Sequence, residues 1–431
     1  MAARPEPLLP AGSRSSRCAR PGLAVLLAAL AVEFVDELFD GTTSAAMPLI
    51  RHDLTLSYAQ IGLLSAVPLI AGGILELPVG VLSGTGRRRR LFVLAGGLVF
   101  TASVLAAGLA PAFAALLIAL TIFFPASGTF VSLTQSTLMD ADPERRPQNM
   151  TRWTLAGAVG AVTGPLLLAG VAAAGGTWRL AVGLVAAGAF LAWLAVAATG
   201  RSGPRRNRDR PLSRCAENKN TSTDQGNEAA AWPGFRAAAR IARQSGALRW
   251  LLLLQLSDLL LDVFTGFLAV YLVAEGHASA SAAALGVAVR LGSGLAGDLI
   301  GVRLLARADS RRVLRASVWL ALVLFPAFLV VPSLDQKLVL LAAVSVVTAP
   351  WYPVLQAELY GSLPGRSGLA VSFSSAAGLA GGVGPLAVGY LAEVAGLGWA
   401  MAALCAVPLA MLVAGGTRLR RTDEADQDRS G

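Results

Sequence analysis

Long runs of apolar residues, broken at fairly regular intervals by arginine, proline, glycine or acidic clusters, dominate the chain. A bilayer core requires about 20 mostly apolar residues per helix. Stretches of that length occur about twelve times, near 22–48, 59–83, 91–110, 113–139, 152–174, 178–199, 248–273, 281–303, 313–332, 338–359, 368–392 and 397–415. The runs are continuous and do not alternate every second residue, so they predict helices and exclude the strands of a membrane barrel. Arg14, Arg17 and Arg20 precede the first run, as they would in an export signal. No small-residue cleavage site follows, and no secreted domain is indicated downstream, so this run is read as a retained span. The expected fold class is an all-α membrane protein.

Composition supports this reading. Charged residues make up 14% of the 431 and apolar residues 55%, with mean hydropathy +0.62. An ordinary globular chain is roughly 25% charged. The net charge of +10 would suit a nucleic-acid binder, but its placement suggests another cause. With the N-terminus in the cytoplasm, 32 of the 36 Lys+Arg fall in the termini and in loops on that same side. Arg51, Arg179 and Lys337 fall on the opposite side, and Arg290 lies within a span. Such asymmetry orients membrane proteins. It predicts a multi-pass protein of the cell membrane with both termini cytoplasmic and no nucleic-acid partner.

The expected domains are a cytoplasmic tail (1–21), a six-helix bundle (22–200), a basic cytoplasmic linker (201–246), a second six-helix bundle (247–416) and a second tail (417–431). Within the linker, Phe235–Arg243 reads either as a basic helix lying on the anionic inner leaflet or as a solvated stretch. The halves repeat at an offset of about 221 residues. Gln135-Ser-Thr-Leu138 matches Gln356-Ala-Glu-Leu359, Gly164-Pro165-Leu166 matches Gly384-Pro385-Leu386, and Trp178 matches Trp399. Asp36 and Asp40 match Asp258 and Asp262. Each half has an even number of spans, so the repeats run in parallel through the membrane, an arrangement that places a substrate site at their interface near the midplane.

Two parallel six-helix bundles joined by a long basic loop resemble the major facilitator superfamily, particularly its bacterial drug and small-molecule efflux permeases. Gly80-Val-Leu-Ser-Gly84-Thr-Gly-Arg87-Arg88-Arg89-Arg90 resembles the family's loop motif, although Gly84 stands where that motif has Asp and the motif is one residue short. Gly157-x-x-Gly160-x-x-x-Gly164-Pro165 is similar to the Gly-Pro motif of the antiporter branches. Pro48-Leu-Ile with Leu56–Leu64 looks like the first external loop and second span of bacterial efflux permeases, including fosmidomycin-resistance-like members. The fourth span lacks the arginine that many proton-coupled drug exporters carry. The resemblance implies alternating access by rocking of the two bundles, with bends at Gly164-Pro165 and Gly384-Pro385.

A charged side chain in a span costs about 2.5–3.5 kcal/mol or more, so charges there suggest function. Glu33, Asp36, Glu37 and Asp40 fall at i, i+3, i+4 and i+7, on one helical face. Asp258 and Asp262 repeat the pattern at i and i+4. Glu76 and Asp298 lie nearer the cytoplasmic end, and Arg290, the one base within a span, is read with them as a gating or ion-pair residue, a structural partner of a carboxylate in preference to a substrate ligand. Carboxylates crowded into a poorly hydrated site cannot all be ionised at once. Such a set can hold protons and can also attract a cation that competes with them. Two other placements remain open. Asp40 and Glu37 could lie solvated at the outer interface, and Glu76 and Asp298 could be helix-end residues paired with arginine. Trp351 and Tyr352, between Pro350 and Pro353, could offer an aromatic face to a cation or simply pack.

The expected function is proton-coupled efflux of a small amphipathic or cationic molecule, with proton-linked nutrient uptake as the alternative. A membrane-embedded enzyme or a non-transporting receptor is a more remote reading. Expected partners are the substrate, protons and lipid, with the chain a monomer. Three cysteines (Cys18, Cys215, Cys405) and two histidines (His52, His277) form no metal-ligand spacing, and no nucleotide-binding motif occurs. No catalytic residue, metal or cofactor is therefore expected, and the drive is the proton gradient.

Overall fold

The structure, a computed structural model, describes residues 22–83, 87–141, 146–199, 246–305, 307–362 and 381–411. Both predicted tails, Phe235–Arg243 and nearly all of the linker, and residues 368–380 of the eleventh predicted span lie outside them. The described residues are almost wholly helical. The first half contains α1 (Leu23–Asp53), α2 (Tyr58–Ser83), α3 (Arg87–Leu109), α4 (Phe113–Ala141), α5 (Arg146–Ala173) and α6 (Trp178–Thr199). The second contains α7 (Ala247–Ala274), α8 (Ala280–Leu305), α9 (Ser310–Val330), α10 (Leu334–Thr348), α11 (Trp351–Gly361), α12 (Val383–Ala395) and α13 (Leu397–Ala403). α10 and α11 together make one apolar crossing, Leu334–Leu359, interrupted at Ala349-Pro350.

Nine described segments are long and apolar enough to cross a membrane. α1 is longer than any of them but is disqualified on composition, because four carboxylates fall between Glu33 and Asp40. It also continues past Pro48, where the apolar pattern stops, to Asp53. Proline removes one backbone donor, and a helix packed among neighbours tolerates that loss. The chain is a multi-pass membrane protein with two six-helix bundles.

The helices satisfy many of their own hydroxyls. Thr42, Thr101, Thr129, Ser345 and Thr348 each donate to the carbonyl four residues earlier, whereas the buried hydroxyls of Thr43, Thr134 and Ser257 have no such partner. Large apolar residues recur on the outer faces, including Leu98 and Leu105 on α3, Leu184 and Leu191 on α6, and Leu320 and Val323 on α9. In a membrane protein such a shell faces acyl chains. Each half also has an aromatic core. Phe39, Phe100, Phe123 and Phe130 stack in the first, with ring centroids 4.4–5.7 Å apart. Phe264, Phe325, Phe328 and Tyr271 pack together in the second.

α1 lies unusually close to α5. A Cβ built on Gly160 would fall 2.2 Å from the Phe34 carbonyl oxygen, and one on Gly164 would fall 2.5 Å from the Thr42 nitrogen. Gly160 and Gly164 therefore form a seam of backbone contact, with Gly41 of α1 meeting the Ala161 carbonyl in return. The repeat preserves the relation: Gly164 packs on Leu38 and Thr42 of α1, and Gly384 on Leu259 and Val263 of α7.

The three basic residues at the end carrying the α1–α2 turn all have structural partners. Arg51 stacks over the Tyr58 ring. Arg179 pairs with Asp53 and donates to the Ala110 carbonyl, tying α6 to α1 and to the α3–α4 turn. Lys337, expected in a loop, lies within α10 and is only 3% exposed. Its ammonium donates to the Phe328 and Leu329 carbonyls at 3.0 and 3.1 Å and to the Tyr271 hydroxyl, closing the end of α9.

Candidate functional site

A cavity of about 640 Å³ separates the two halves. α1 contributes Asp36, Glu37, Phe39, Asp40, Thr43, Ser44 and Met47, and α7 contributes Leu261, Asp262, Val263, Thr265, Gly266 and Phe267. α2, α4, α8 and α12 complete the wall with Ser65, Phe123, Phe124, Ser127, Arg290 and Pro385, among others. The carboxylates lie deep because they are central in their helices: Asp36 and Asp40 straddle the midpoint of α1, and Asp258 and Asp262 that of α7. Asp40 is about three and a half turns from the end of α1. Both Asp40 and Glu37 line the interior, and neither sits at an outer interface.

Individual contacts differentiate the acids. Asp36 accepts a hydrogen bond from the Ser127 hydroxyl of α4 at 2.6 Å. Asp40 and Asp262 come from opposite halves and are close enough to repel each other when ionised. Arg290, midway along α8 and 8% exposed, attracts Asp262 and Asp298. Among the described residues it has no ion pair within hydrogen-bonding reach, and its Nε has no hydrogen-bond partner. Glu33 lies outside the cavity lining, wedged against Gly157 and near Trp153. A Cβ at Gly157 would lie 2.7 Å from its Oε1, so the glycine makes room for this carboxylate. Asp258 also lies outside the lining, where the Gln255 amide donates to it at 3.4 Å.

Near the α1–α2 end of the cavity, α2 and α12, which belong to different halves, meet in a close seam. Cβ atoms built at Gly62 and Gly389 would fall 2.5 Å from the Pro385 carbonyl oxygen and 2.7 Å from the Tyr58 carbonyl oxygen. The Glu393 carboxylate accepts from the Tyr58 backbone N–H at 2.9 Å, filling one of the orphan donors that begin α2. α5 and α8 form the other long contact between the halves.

Other residues singled out in the sequence lie elsewhere. Asp298 is exposed and outside the cavity lining. Trp351 is fully buried in the second half, donating to the Ser317 hydroxyl at 2.8 Å, while Tyr352 faces outward, and neither lines the cavity. Arg87, Arg88 and Arg89 form the first turn of α3. Gly84 and the side chain of Glu76 fall outside the described residues, and Gly80 lies within α2. Glu358 forms a two-pronged ion pair with Arg311 at 2.9 and 3.1 Å. Sequence reasoning missed the aromatic wall of Phe39, Phe123, Phe124 and Phe267. It also missed the hydroxyls Thr43, Ser44, Ser65, Ser127 and Thr265. Thr43 and Ser44 carried a signal, since they continue the Asp36/Asp40 face at helical spacing. The phenylalanines carried none, because apolar residues surround them on every side.

Among the described residues no cluster of three or more His, Cys, Asp or Glu could hold a metal. The cavity can attract and surround a small ligand bearing positive charge, with aromatic rings to cover its apolar body.

No curated protein matches the chain in sequence. Solved structures similar to it include a bacterial homologue of the human lysosomal transporter Spinster, inward-facing and unoccupied. That match has 17% identity and a TM-score of 0.72, covering 91% of this chain and 95% of that one. The nucleoside transporter NupG matches at 13% identity and a TM-score of 0.68, covering 91% and 100%. A D-xylose–proton symporter matches at 14% and 0.67, covering 91% and 96%. At these identities the likeness concerns the fold. The sequence profile of the Major Facilitator Superfamily matches residues 29–273, more than half of the chain. With that match and the paired six-helix bundles around a central cavity, the protein belongs to the major facilitator superfamily of membrane transporters.

Proposed function

We propose that the protein exports a small amphipathic or cationic molecule in exchange for protons. The observation that carries this is a cavity to which both halves contribute ionisable acids, Asp36, Glu37 and Asp40 from α1 and Asp262 from α7. Like charges crowded there repel, so protonation and cation binding are alternative ways to relieve the repulsion. A site that must release protons before accepting a cation, and then opens to the other side, performs antiport without a cofactor. Glu33 and Asp258, outside the lining, are proton-relay positions on this reading. Asp298 is an electrostatic partner of Arg290, and Glu76 is a further ion-pair candidate. The loop motif Gly80–Arg89 and the Gly164-Pro165 and Gly384-Pro385 bends serve the rocking of the halves. The protein acts as a monomer in the cell membrane with both termini cytoplasmic, its domains divided at 201–246.

Inverted membrane vesicles test this. Imposing a proton gradient drives uptake of fluorescent lipophilic cations, and collapsing the gradient or introducing Asp262→Asn abolishes it. Uptake indifferent to both sinks the antiport reading. Sugar or organic-acid uptake in intact cells, stimulated by external acid, would instead support nutrient import, which the anion-rich cavity favours less.

A further inference from the structure

We infer that the cavity takes a dipolar ligand, one carrying an anionic oxygen acceptor for Arg290 as well as a positive group for the carboxylates. This rests on the transport reading above and specifies its substrate as an aromatic or apolar zwitterion. Arg290 is over nine-tenths buried and lines the cavity, and its Nε–H meets no acceptor. Among the described residues no carboxylate reaches it within ion-pair distance, although Asp262 and Asp298 attract it.

A buried guanidinium with donors left unmade is costly, and such groups are normally satisfied. The nearest acids do not provide the contact, yet the side chain sits on the cavity wall opposite an excess of carboxylates. A purely cationic ligand would be repelled by Arg290 and would leave its donors bare. A purely anionic one would face Asp36, Glu37, Asp40 and Asp262. A ligand with both charges satisfies the two poles at once, while Phe39, Phe123, Phe124 and Phe267 cover its apolar body. The planar fork of arginine suits a carboxylate or phosphate oxygen pair, which lysine would hold less well.

The test compares three probes with one ring system: tryptophan (zwitterion), tryptamine (cation) and indole-3-propionate (anion). Binding is measured calorimetrically on the full chain in lipid nanodiscs, without any gradient. The expected result is that tryptophan binds about tenfold or more tightly than either single-charge probe, the effect of one charge-assisted hydrogen-bonded contact. Arg290→Gln should weaken tryptophan and abolish its advantage over tryptamine, with tryptamine binding as tightly as before or more tightly once the repelling charge is gone, and Arg290→Lys should restore part of the difference. Unchanged thermal unfolding of these variants confirms that the fold survives. Tryptophan binding no tighter than tryptamine, no detectable tryptophan binding at millimolar concentration, or Arg290→Gln weakening both alike overturns the inference. Because no proton gradient is present, this outcome is separate from the vesicle assay, in which antiport can fail while the two-pole binding survives, and the reverse.

Discussion

The α2–α12 seam gives the sharpest handle on how the halves move. Gly62→Ala places a Cβ 2.5 Å from the Pro385 carbonyl oxygen, where ordinary contact begins near 3.4 Å. The nearest atoms belong to backbone, so relief requires the two helices to separate by about an ångström. Overpacking of this kind costs about 1–3 kcal/mol. The intrinsic helix preference of alanine over glycine, about 1 kcal/mol, acts alike in every state with α2 folded and so cancels from the balance. On the reading that opening at the α1–α2 end parts α2 from α12, the whole penalty falls on the state with the seam closed. The equilibrium should shift toward opening at this end by roughly 5–150-fold. A cysteine placed at Thr43 or Met47, on the cavity wall, in a background with Cys18, Cys215 and Cys405 replaced, reports the opening through its labelling rate. An impermeant maleimide applied from the α1–α2 side should react faster in Gly62→Ala. Gly183→Ala, which meets nothing within 4 Å, should leave the rate unchanged. Equal rates in Gly62→Ala and its parent would refute the assignment of this seam as a closure.

Two further predictions concern stability. Lys337→Ala strips the donor from the Phe328 and Leu329 carbonyls and should destabilise the second half by about 1–3 kcal/mol, read as a lower thermal midpoint in detergent. An unchanged midpoint would mean that water replaces the ammonium. The Asp53–Arg179 pair lies at the far end of α1, beyond the apolar span, and the arginine holds the Asp53 carboxyl below its usual 3.8. A depressed value means that stability is present above the ordinary pKa and is lost as pH falls through the folded one. Asp53→Asn should therefore lower the midpoint at pH 6–8 and cease to matter in strong acid, whereas a deficit independent of pH would assign the role to packing.

Much of the architecture was legible in one dimension because the bilayer imposes a length and a polarity on every span. Runs such as Trp178–Thr199 and Ala280–Leu305 could be placed within a residue or two for that reason alone. Membrane insertion is also costly for charge, so Asp36, Asp40, Asp262 and Arg290 stood out against their surroundings before any contact was known. Periodicity went one step further and assigned the acids of α1 to a common face.

What periodicity cannot state is which neighbour a face meets. Glu33 and Asp36 share a stripe, yet the crossing of α5 at Gly157 turns one into a tight crevice beside Trp153, while the other opens to Ser127 and the cavity. Asp258 and Asp262 are a single turn apart and diverge in the same way. The phenylalanine wall was invisible because a ring facing a ligand and a ring facing lipid have the same hydropathy. Lys337 looked like a loop charge until α9 ended beside it with bare carbonyls. Chain-local chemistry determined where helices run and which residues are costly to bury. Helix crossings, held apart or drawn together by the presence or absence of a single Cβ, decided which of those costly residues meet across the cavity.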